Sequence, residues 1–392
     1  MPSVKPAVEA FARIKVVGCG GSGGNVLDHM IRSKVQGVDF IAVNTDAQDL
    51  HHNLAPKKIH VGKNLTRGLG AGMNPELGRQ AAEETIEEIK DALKGADMVF
   101  VACGMGGGTG TGVAPVVADA ARSQGALAVG VVTKPFSFEG AQRMRIADEG
   151  LQRLRESVDA VVVIPNDRLL SVVEKGTTFR DAFGVCDEVL RQAVQGISDL
   201  ITMPGIVNVD FADVKAIMQG AGSALMGIGR GSGENRAVDA AKEAINSPLL
   251  DVAIDGAKGV LFAIHGGSDM SMWEVQEAAR VITESVDKDA KIIFGAIEDD
   301  KLKKGELKIT VIASGFPENI RSTSGAPLFF ADKDAATNMF EKKKTVPEAV
   351  PSMMPKPIAM PVSTQQINVK QEEQEADLGW DDTIPAFLRR KK

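Results

Sequence analysis

A glycine-rich run between an apolar segment and a helix-like segment constrains this chain more than any other feature. The run, Gly104-Met105-Gly106-Gly107-Gly108-Thr109-Gly110-Thr111-Gly112, holds six glycines in nine residues. The apolar residues 97–102 before it predict a buried strand, and residues 113–121 after it predict a helix. Glycine lets the backbone approach a ligand closely, and the N–H groups at a helix N-terminus favour an anion. The sequence therefore predicts a phosphate-binding loop, to which the two threonines add hydroxyl donors.

A second glycine-rich run lies near the start of the chain. Residues 14–17 predict a strand, Gly18-Cys19-Gly20-Gly21-Ser22-Gly23-Gly24-Asn25 predicts a loop, and residues 26–32 predict a helix. Gly18, Gly20 and Gly23 satisfy the dinucleotide fingerprint, so an NAD-dependent oxidoreductase is an alternative. Asp46, after the second strand, does not exclude that alternative, but a dinucleotide site leaves the second loop unexplained. Gly62-Lys63 is followed by Asn64, so no Walker A sequence is present.

Composition narrows the class of protein. The chain has 392 residues, of which 44% are hydrophobic and 25% charged, as in soluble globular proteins. Its net charge of −7 argues against nucleic-acid binding. We expect no signal peptide and no membrane insertion, because no apolar run approaches the roughly 18 residues of a membrane span. The three cysteines and five histidines lack ligand spacing, so we predict no metal-ligating residues and a cytoplasmic protein.

Alternation of apolar runs and helical segments predicts an α/β protein with a doubly wound, Rossmann-like first domain. We assign residues 1–12 to an N-terminal tail, 13–177 to the nucleotide-binding domain, 178–202 to a long central helix and 203–316 to a second α/β domain. Ligands of such sheets bind beyond the carboxyl ends of the strands, where both glycine loops lie.

The end of the chain differs in composition. Five prolines between 347 and 361 and a polar run at 365–377 predict a disordered linker over 317–378. Residues 379–392 then predict a short helix capped by Thr383, with Ile384, Phe387 and Leu388 on one face. A frayed tail is the alternative, but an isolated apolar helix is better explained as a partner-binding peptide.

Taken together, these motifs resemble the FtsZ family, the bacterial tubulin-like cell-division GTPases. The loop order GGGTGTG matches the tubulin superfamily. Further matching segments are Asn44-Thr45-Asp46, residues 65–72, Thr133-Lys134-Pro135-Phe136, Ile164-Pro165-Asn166-Asp167 and residues 208–213. The resemblance covers about residues 13–316 and returns at 381–390.

The resemblance implies a set of nucleotide-binding residues. The phosphates of GTP or GDP would contact Gly20, Gly21, Ser22, Gly23, Gly24, Asn25, Gly104, Gly106, Gly107, Gly108, Thr109, Gly110 and Thr111. Ala71 and Gly72 would lie beside the γ-phosphate, and Glu139 and Arg143 at the ribose and phosphates. Asn166 and Asp187 would bind the guanine edge, with Phe183 against the ring. A carboxylate at 187 suits guanine, because it accepts from both N1–H and N2–H. From the sequence alone, Asp187 would be an ordinary exposed helix acid.

The resemblance also implies catalytic residues outside the first domain, namely Asn208, Asp210 and Asp213. By pattern alone, Asp210-Phe211-Ala212-Asp213 is a helix N-cap with an acid in the first turn. A carboxylate at a helix N-terminus stays ionised and can orient water. In this family such acids reach the GTP of the next subunit, so hydrolysis requires a head-to-tail filament. Mg²⁺ would neutralise the phosphates.

The implied function is a self-assembling GTPase of the mid-cell division ring, whose peptide at 381–392 binds membrane-tethering and regulatory proteins. A non-hydrolysing tubulin-like structural paralogue is a further alternative. Cys19 and Cys103 lie beside helix N-termini, where a thiolate would be favoured if solvent reached it. Burial as small apolar residues is equally consistent with their positions.

Overall fold

The structure, a computed structural model, describes residues 12–170, 176–247, 250, 254, 256–299 and 302–316. Residues 1–11 of the predicted tail, the predicted linker at 317–378 and the predicted peptide at 379–392 lie outside the described residues. The division of 13–316 into two domains stays a prediction.

Ten strands and twelve α-helices form in the described ranges. The strands are β1 (Ile14–Cys19), β2 (Val38–Asn44), β3 (Lys57–His60), β4 (Met98–Gly104), β5 (Leu127–Lys134), β6 (Ala160–Pro165), β7 (Gly222–Ser232), β8 (Gly259–Gly266), β9 (Lys291–Glu298) and β10 (Glu306–Ser314). The helices are α1 (Gly20–Arg32), α2 (Ala47–His52), α3 (Lys63–Thr66), α4 (Pro75–Glu84), α5 (Ile86–Leu93), α6 (Thr109–Ser123), α7 (Ala141–Ser157), α8 (Asn166–Leu170), α9 (Phe179–Thr202), α10 (Phe211–Met218), α11 (Arg236–Ile245) and α12 (Met272–Thr283). A 3-10 turn covers Ser137–Glu139.

The strands form one sheet in the order β3-β2-β1-β4-β5-β6-β7-β10-β8-β9. The six strands of the first half pair in parallel, which confirms the predicted α/β fold. Strand β7 joins β6 in parallel over Ala160–Val162 and Gly222–Ala224. Strand β10 runs antiparallel between β7 and β8. The sheet therefore continues from the first half of the chain into the second.

Helices cover both faces of this sheet. Buried residues of α1, α9 and α10 pack on one face of the first half, and those of α4 to α7 pack on the other. Helices α11 and α12 cover the second half. The predicted central helix is confirmed as α9, whose Leu190, Val194 and Ile197 are buried at three- and four-residue steps.

Strand β7 was not expected from the sequence, because four of its eleven residues are glycine. Three of these glycines lie against the backbone of α11. A Cβ on Gly227, Gly229 or Gly231 would lie within about 2 Å of a carbonyl oxygen of that helix. The strand thus uses glycine because the helix packs directly on its backbone, a contact that strand propensity does not report.

Candidate functional site

The two glycine-rich runs lie side by side at the carboxyl ends of β1 and β4. These strands are adjacent and parallel, and Cys19 pairs with Cys103. A Cβ on Gly20 would lie 2.8 Å from Gly110 N, and one on Gly104 would lie 2.7 Å from Ser22 Oγ. The N-termini of α1 and α6 therefore converge on one place, where unpaired N–H groups of both helices can meet an anion.

The first glycine run differs from the predicted loop. Helix α1 already begins at Gly20, so residues 20–25 belong to its first two turns. Glycine is required there by packing: a Cβ on Gly18 would lie 2.5 Å from Gly23 O, and one on Gly23 would lie 2.5 Å from Ala102 O. The second run keeps a turn at 105–108, after which α6 begins at Thr109.

A third segment, residues 62–74, closes over the second glycine run. Gly108 N–H donates to Gly72 O at 2.7 Å, and the hydroxyls of Thr45 and Thr109 are hydrogen-bonded at 2.6 Å. Gly72 has a φ of +58°, and a Cβ there would meet nothing within 4 Å. The backbone at Gly72 therefore faces open space beside the second glycine run, as a contact to a terminal phosphate requires.

The candidate base and ribose residues gather around Phe136. The Phe136 ring lies edge-on to that of Phe183, with centroids 5.2 Å apart. Phe136 N–H donates to Glu139 Oε1 at 2.8 Å, and Glu139 Oε2 pairs with Arg143 Nη1 at 3.1 Å. Arg143 reaches the second glycine run, because a Cβ on Gly106 would lie 2.8 Å from Arg143 Cγ. These contacts connect the candidate base residues to the candidate phosphate residues.

Asn166, the first residue of α8, carries an unpaired acceptor. The residue is 4% exposed, and its Oδ1 has no hydrogen-bond partner among the described residues. A buried unpaired polar atom costs about 1–3 kcal/mol. A ligand that donates a hydrogen bond at this point would remove that cost, so the site fits the amino or imino group of a base.

Asp187 lies one turn after Phe183 on α9. Burial raises the pKa of its carboxyl to about 6, and the nearby His29 offsets part of this increase. The pKa of the neighbouring Glu188 shifts in the opposite direction. Burial would raise its pKa, but hydrogen bonds from Arg191 and His29 outweigh that effect and lower it to about 2.

Sequence reasoning missed three residues that support this arrangement. His29 Nε2 lies 2.9 Å from Glu188 Oε2 and joins α1 to α9. Thr45 is buried; its hydroxyl meets Thr109, and its carbonyl accepts from Thr66 Oγ1 at 3.1 Å. Asp49 Oδ2 lies 3.5 Å from the position of a Cβ on Gly21 and accepts from Asn44 Nδ2 at 2.7 Å. The segment Asn44-Thr45-Asp46, noted only as a resemblance, was the available signal for this part of the site.

The cysteines of the site are buried. Cys19 and Cys103 are 0% exposed. Burial raises the pKa of both thiols, that of Cys103 to about 12. Of the two interpretations left open above, the geometry favours small buried apolar residues.

The candidate catalytic residues lie elsewhere. Asp210 caps α10 by accepting from Ala212 N at 3.1 Å, which confirms the predicted cap. Asp213 follows in the first turn, and Asn208 Oδ1 accepts from Gly205 N at 2.6 Å. All three residues are exposed to solvent.

Helix α10 is located at the amino ends of strands, opposite the glycine runs. Its last turn, with Lys215 and Gln219, lines a cavity of about 210 Å³ together with Gly125–Leu127 and Asp159, which precede or begin β5 and β6. Ile217 contacts Gly259, the first residue of β8. Strand β5 is eight residues long, so roughly 26 Å of strand separates this edge from the edge with the glycine runs.

The described residues hold no group of three His, Cys, Asp or Glu side chains arranged to bind a metal ion. None of their helices combines the length and apolar character that a membrane crossing requires.

Comparison with known proteins identifies both halves of the chain. Residues 13–174 match the model described as Tubulin/FtsZ family, GTPase domain, and residues 222–317 match FtsZ family, C-terminal domain. A solved structure titled FtsZ dimer, empty, from M. jannaschii is 45% identical, with a TM-score of 0.76, covering 82% of this chain and 96% of that one. A variant of FtsZ from M. jannaschii is 48% identical, with a TM-score of 0.76, covering 80% and 94%. A GTPγS-bound protofilament of CetZ2 from Haloferax volcanii is 24% identical, with a TM-score of 0.68 and coverage of 79% and 95%, and shares the fold.

Proposed function

The chain belongs to the FtsZ family of tubulin-like GTPases, and from that premise we propose that it polymerises head-to-tail and hydrolyses GTP at the junctions between subunits. The filaments would form the cytokinetic ring at mid-cell, in the cytoplasm. Membership of this family sets aside the oxidoreductase alternative, and the GTPase domain sets aside a non-hydrolysing paralogue.

In this proposal the nucleotide lies across the carboxyl ends of β1 and β4. The phosphates contact residues 20–25 and 104–111, Ala71-Gly72 faces the γ-phosphate, and Glu139 with Arg143 lies at the ribose. Guanine meets Phe183 and bonds to Asn166 and Asp187. Support comes from the convergence of two helix N-termini and from the unpaired Oδ1 of Asn166.

One observation carries the proposal that hydrolysis needs two subunits. The acids that would orient water, Asp210 and Asp213, follow α9, which begins beside Phe136, after the carboxyl end of β5, and ends with Thr202 against Gly37, just before β2. The chain has therefore crossed to the strand edge opposite the glycine runs before it reaches these acids. A gap of roughly 26 Å cannot be crossed by a carboxylate side chain. Head-to-tail stacking would place the α10 end of one subunit over the nucleotide end of the next, which completes the site.

Exposed apolar side chains occur at both of these ends. Leu69, in the segment beside the second glycine run, is 85% exposed, and Phe138 is 59% exposed. Ile206, two residues before Asn208, is 67% exposed. Exposed apolar groups on opposite ends of a molecule suit a heterologous contact that repeats along a filament. The M. jannaschii relative is titled a dimer, which agrees with this inference.

In the proposed mechanism the side chains of this protein mainly position the attacking water. Phosphoryl transfer needs aligned water and neutralised charge more than covalent catalysis. Asp210 and Asp213 at the N-terminus of α10 can orient a water, while Asn208 adds an amide. Mg²⁺ would neutralise the phosphates when bound.

The remaining part of the proposal concerns residues 381–392. We propose that this peptide binds membrane-tethering and division-regulating proteins through Ile384, Phe387 and Leu388. Deleting 381–392 should abolish binding to such a tether in co-sedimentation and leave GTP turnover unchanged. Neutralising Arg389 and Arg390 should have less effect than Phe387→Ala; the opposite ranking would show that the peptide acts through charge.

GTP turnover against protein concentration tests the shared site. Turnover per subunit should rise steeply above a threshold concentration, in parallel with light scattering from filaments. Constant specific activity down to high dilution would contradict it.

A mixing experiment tests the same idea without relying on the threshold. Asp210→Ala keeps its own nucleotide site, and Asp187→Asn keeps its acids, so a mixture of the two should recover turnover that neither has alone. A mixture of Asp210→Ala and Asp213→Ala is the matched control and should recover none, because both lack the same half of the site.

A further inference from the structure

Helix α4 crosses the start of α6 at a distance that only glycine allows. A Cβ on Gly78 would lie 2.4 Å from Gly108 O and 3.3 Å from Thr109 Cα. From the other helix, a Cβ on Gly112 would lie 2.1 Å from Pro75 O. Real Cβ atoms essentially never approach within 3.0 Å of such atoms. Gly78 has ordinary helical backbone angles, so the requirement comes from packing alone.

Backbone hydrogen bonds connect this helix crossing to the turn at Ala71-Gly72. Gly78 N–H donates to Asn74 O at 3.2 Å, and Asn74 N–H donates to Ala71 O at 3.2 Å. Asn74 Oδ1 also caps α4 by accepting from Glu76 N at 3.1 Å and Leu77 N at 3.2 Å. Since Gly108 N–H donates to Gly72 O, the peptide at 108 contacts both Gly78 and the turn.

We propose that Gly78 is a positioning residue for the γ-phosphate: it sets how closely Ala71-Gly72 approaches the second glycine run. The inference rests on the proposed function, in which that turn faces the γ-phosphate. A methyl group at 78 must move α4 away from α6 by about 1 Å to restore ordinary contact with Gly108 O. The turn is bonded to α4 through Asn74, so it moves away from the phosphates with the helix.

The displacement should weaken GTP binding and leave GDP binding almost unchanged. The candidate base residues lie on α8, α9 and the segment before α7, and residues 20–25 lie on α1. These elements, together with residues 104–111 between β4 and the first turn of α6, hold the base and the other phosphates in the proposed site. Only the third phosphate depends on the Ala71-Gly72 turn, so the GTP-to-GDP affinity ratio isolates its contribution.

Gly78→Ala tests the inference, with Gln80→Ala as the matched control on the exposed face of α4. Affinities for GTP and GDP are measured by competition with a fluorescent guanine nucleotide, at protein concentrations below the turnover threshold. We expect Gly78→Ala to lower GTP affinity relative to GDP by about 10- to 100-fold, the equivalent of one charge-assisted hydrogen bond. Turnover, as kcat/KM above the threshold, should fall by about 100-fold, as for a 1 Å misplacement. Gln80→Ala should match the unsubstituted chain.

An unchanged GTP-to-GDP ratio in Gly78→Ala would overturn the inference, as would an equal loss of both affinities in a folded protein. If the unsubstituted chain bound no guanine nucleotide, the proposed function would fail instead, so the two failures are distinguishable. Should Gly78→Ala fail to fold, Asn74→Ala removes the α4 cap without adding bulk. It should lower the ratio in the same direction by a smaller factor, and an unchanged ratio there would also overturn the inference.

Discussion

Lowering the pH should weaken GTP binding through one residue, Asp187. In the unliganded chain, burial holds the pKa of this carboxyl at about 6, against an ordinary value of 3.8. In the proposed site, the ionised carboxylate accepts from guanine N1–H and N2–H. The protonated acid presents a donor where guanine also donates, so each protonated molecule is unable to bind until it ionises.

The size of the effect follows from that pKa. With half of the chains protonated at pH 6, GTP affinity should be nearly constant between pH 7 and pH 8. It should fall to about half of its neutral value at pH 6 and to roughly one tenth of that value at pH 5. Asp187→Asn should bind GTP weakly and show no such dependence, because the amide does not titrate in this range.

The same substitution should have the opposite effect on stability. A shift of about two pKa units corresponds to about 3 kcal/mol, which we reduce to about 1–2 kcal/mol because the side chain is partly exposed. A raised carboxyl pKa means that folding disfavours the ionised form. At pH 7, Asp187→Asn should therefore increase the free energy of unfolding of the unliganded chain. The gain should decline as pH falls from 6 to 4, because below 3.8 the carboxyl is protonated in both states.

The assay is a pH series of GTP affinity from 5 to 8, with urea unfolding of the unliganded protein at the same pH values. Asp91→Asn, an exposed helix acid on α5, is the matched control and should change neither quantity. Equal GTP affinity at pH 5 and pH 7.5 would refute the reasoning. The same pH dependence in Asp187→Asn would refute it equally, since another group would then be responsible.

Three further changes test other parts of the structure. Asp213→Ala should nearly abolish turnover while GTP affinity below the threshold stays within about twofold; a collapse of affinity would make this acid a ligand of its own subunit's nucleotide. Cys19 and Cys103 should resist iodoacetamide with or without GTP until the chain unfolds, because both thiols are buried with raised pKa values; rapid labelling that GTP slows would contradict the burial. Arg236→Ala should lower the urea midpoint of unfolding, because the buried guanidinium that pairs with Asp269 and Glu274 is lost; an unchanged midpoint would show that solvent replaces the pair.

The sequence predicted those parts of the fold that depend on local pattern. Apolar runs such as 98–102 identified strands, and the apolar stripe of α9 identified a long helix. The convergence of the two glycine runs followed from a general property of parallel sheets, whose carboxyl ends share one edge. Asp210 as a helix cap followed from short-range spacing.

What the sequence could not predict depends on contacts between distant residues. His29 and Glu188 are 159 residues apart, and no pattern relates them. Strand β7 was not predicted because its glycines are required by the close packing of α11, which strand propensity does not describe. The position of Gly78 against Gly108 likewise appears only once α4 and α6 are packed. The separation of Asp210 and Asp213 from the glycine runs of the same chain depends on the path of the chain along α9.

Helix α9 has a consequence for subunits stacked head-to-tail in the proposed filament. Its 24 residues span roughly 36 Å. The first turns carry Phe183 and Asp187, and the last turn leads directly to the segment with Asn208 and Asp210. An α-helix is stiff, so a displacement of one end of α9 moves its other end by a similar distance. In the proposed filament, a change at one nucleotide would therefore shift the acids that serve the neighbouring nucleotide. Hydrolysis events along a filament should then be correlated between neighbours, with a direction fixed by the polarity of the helix.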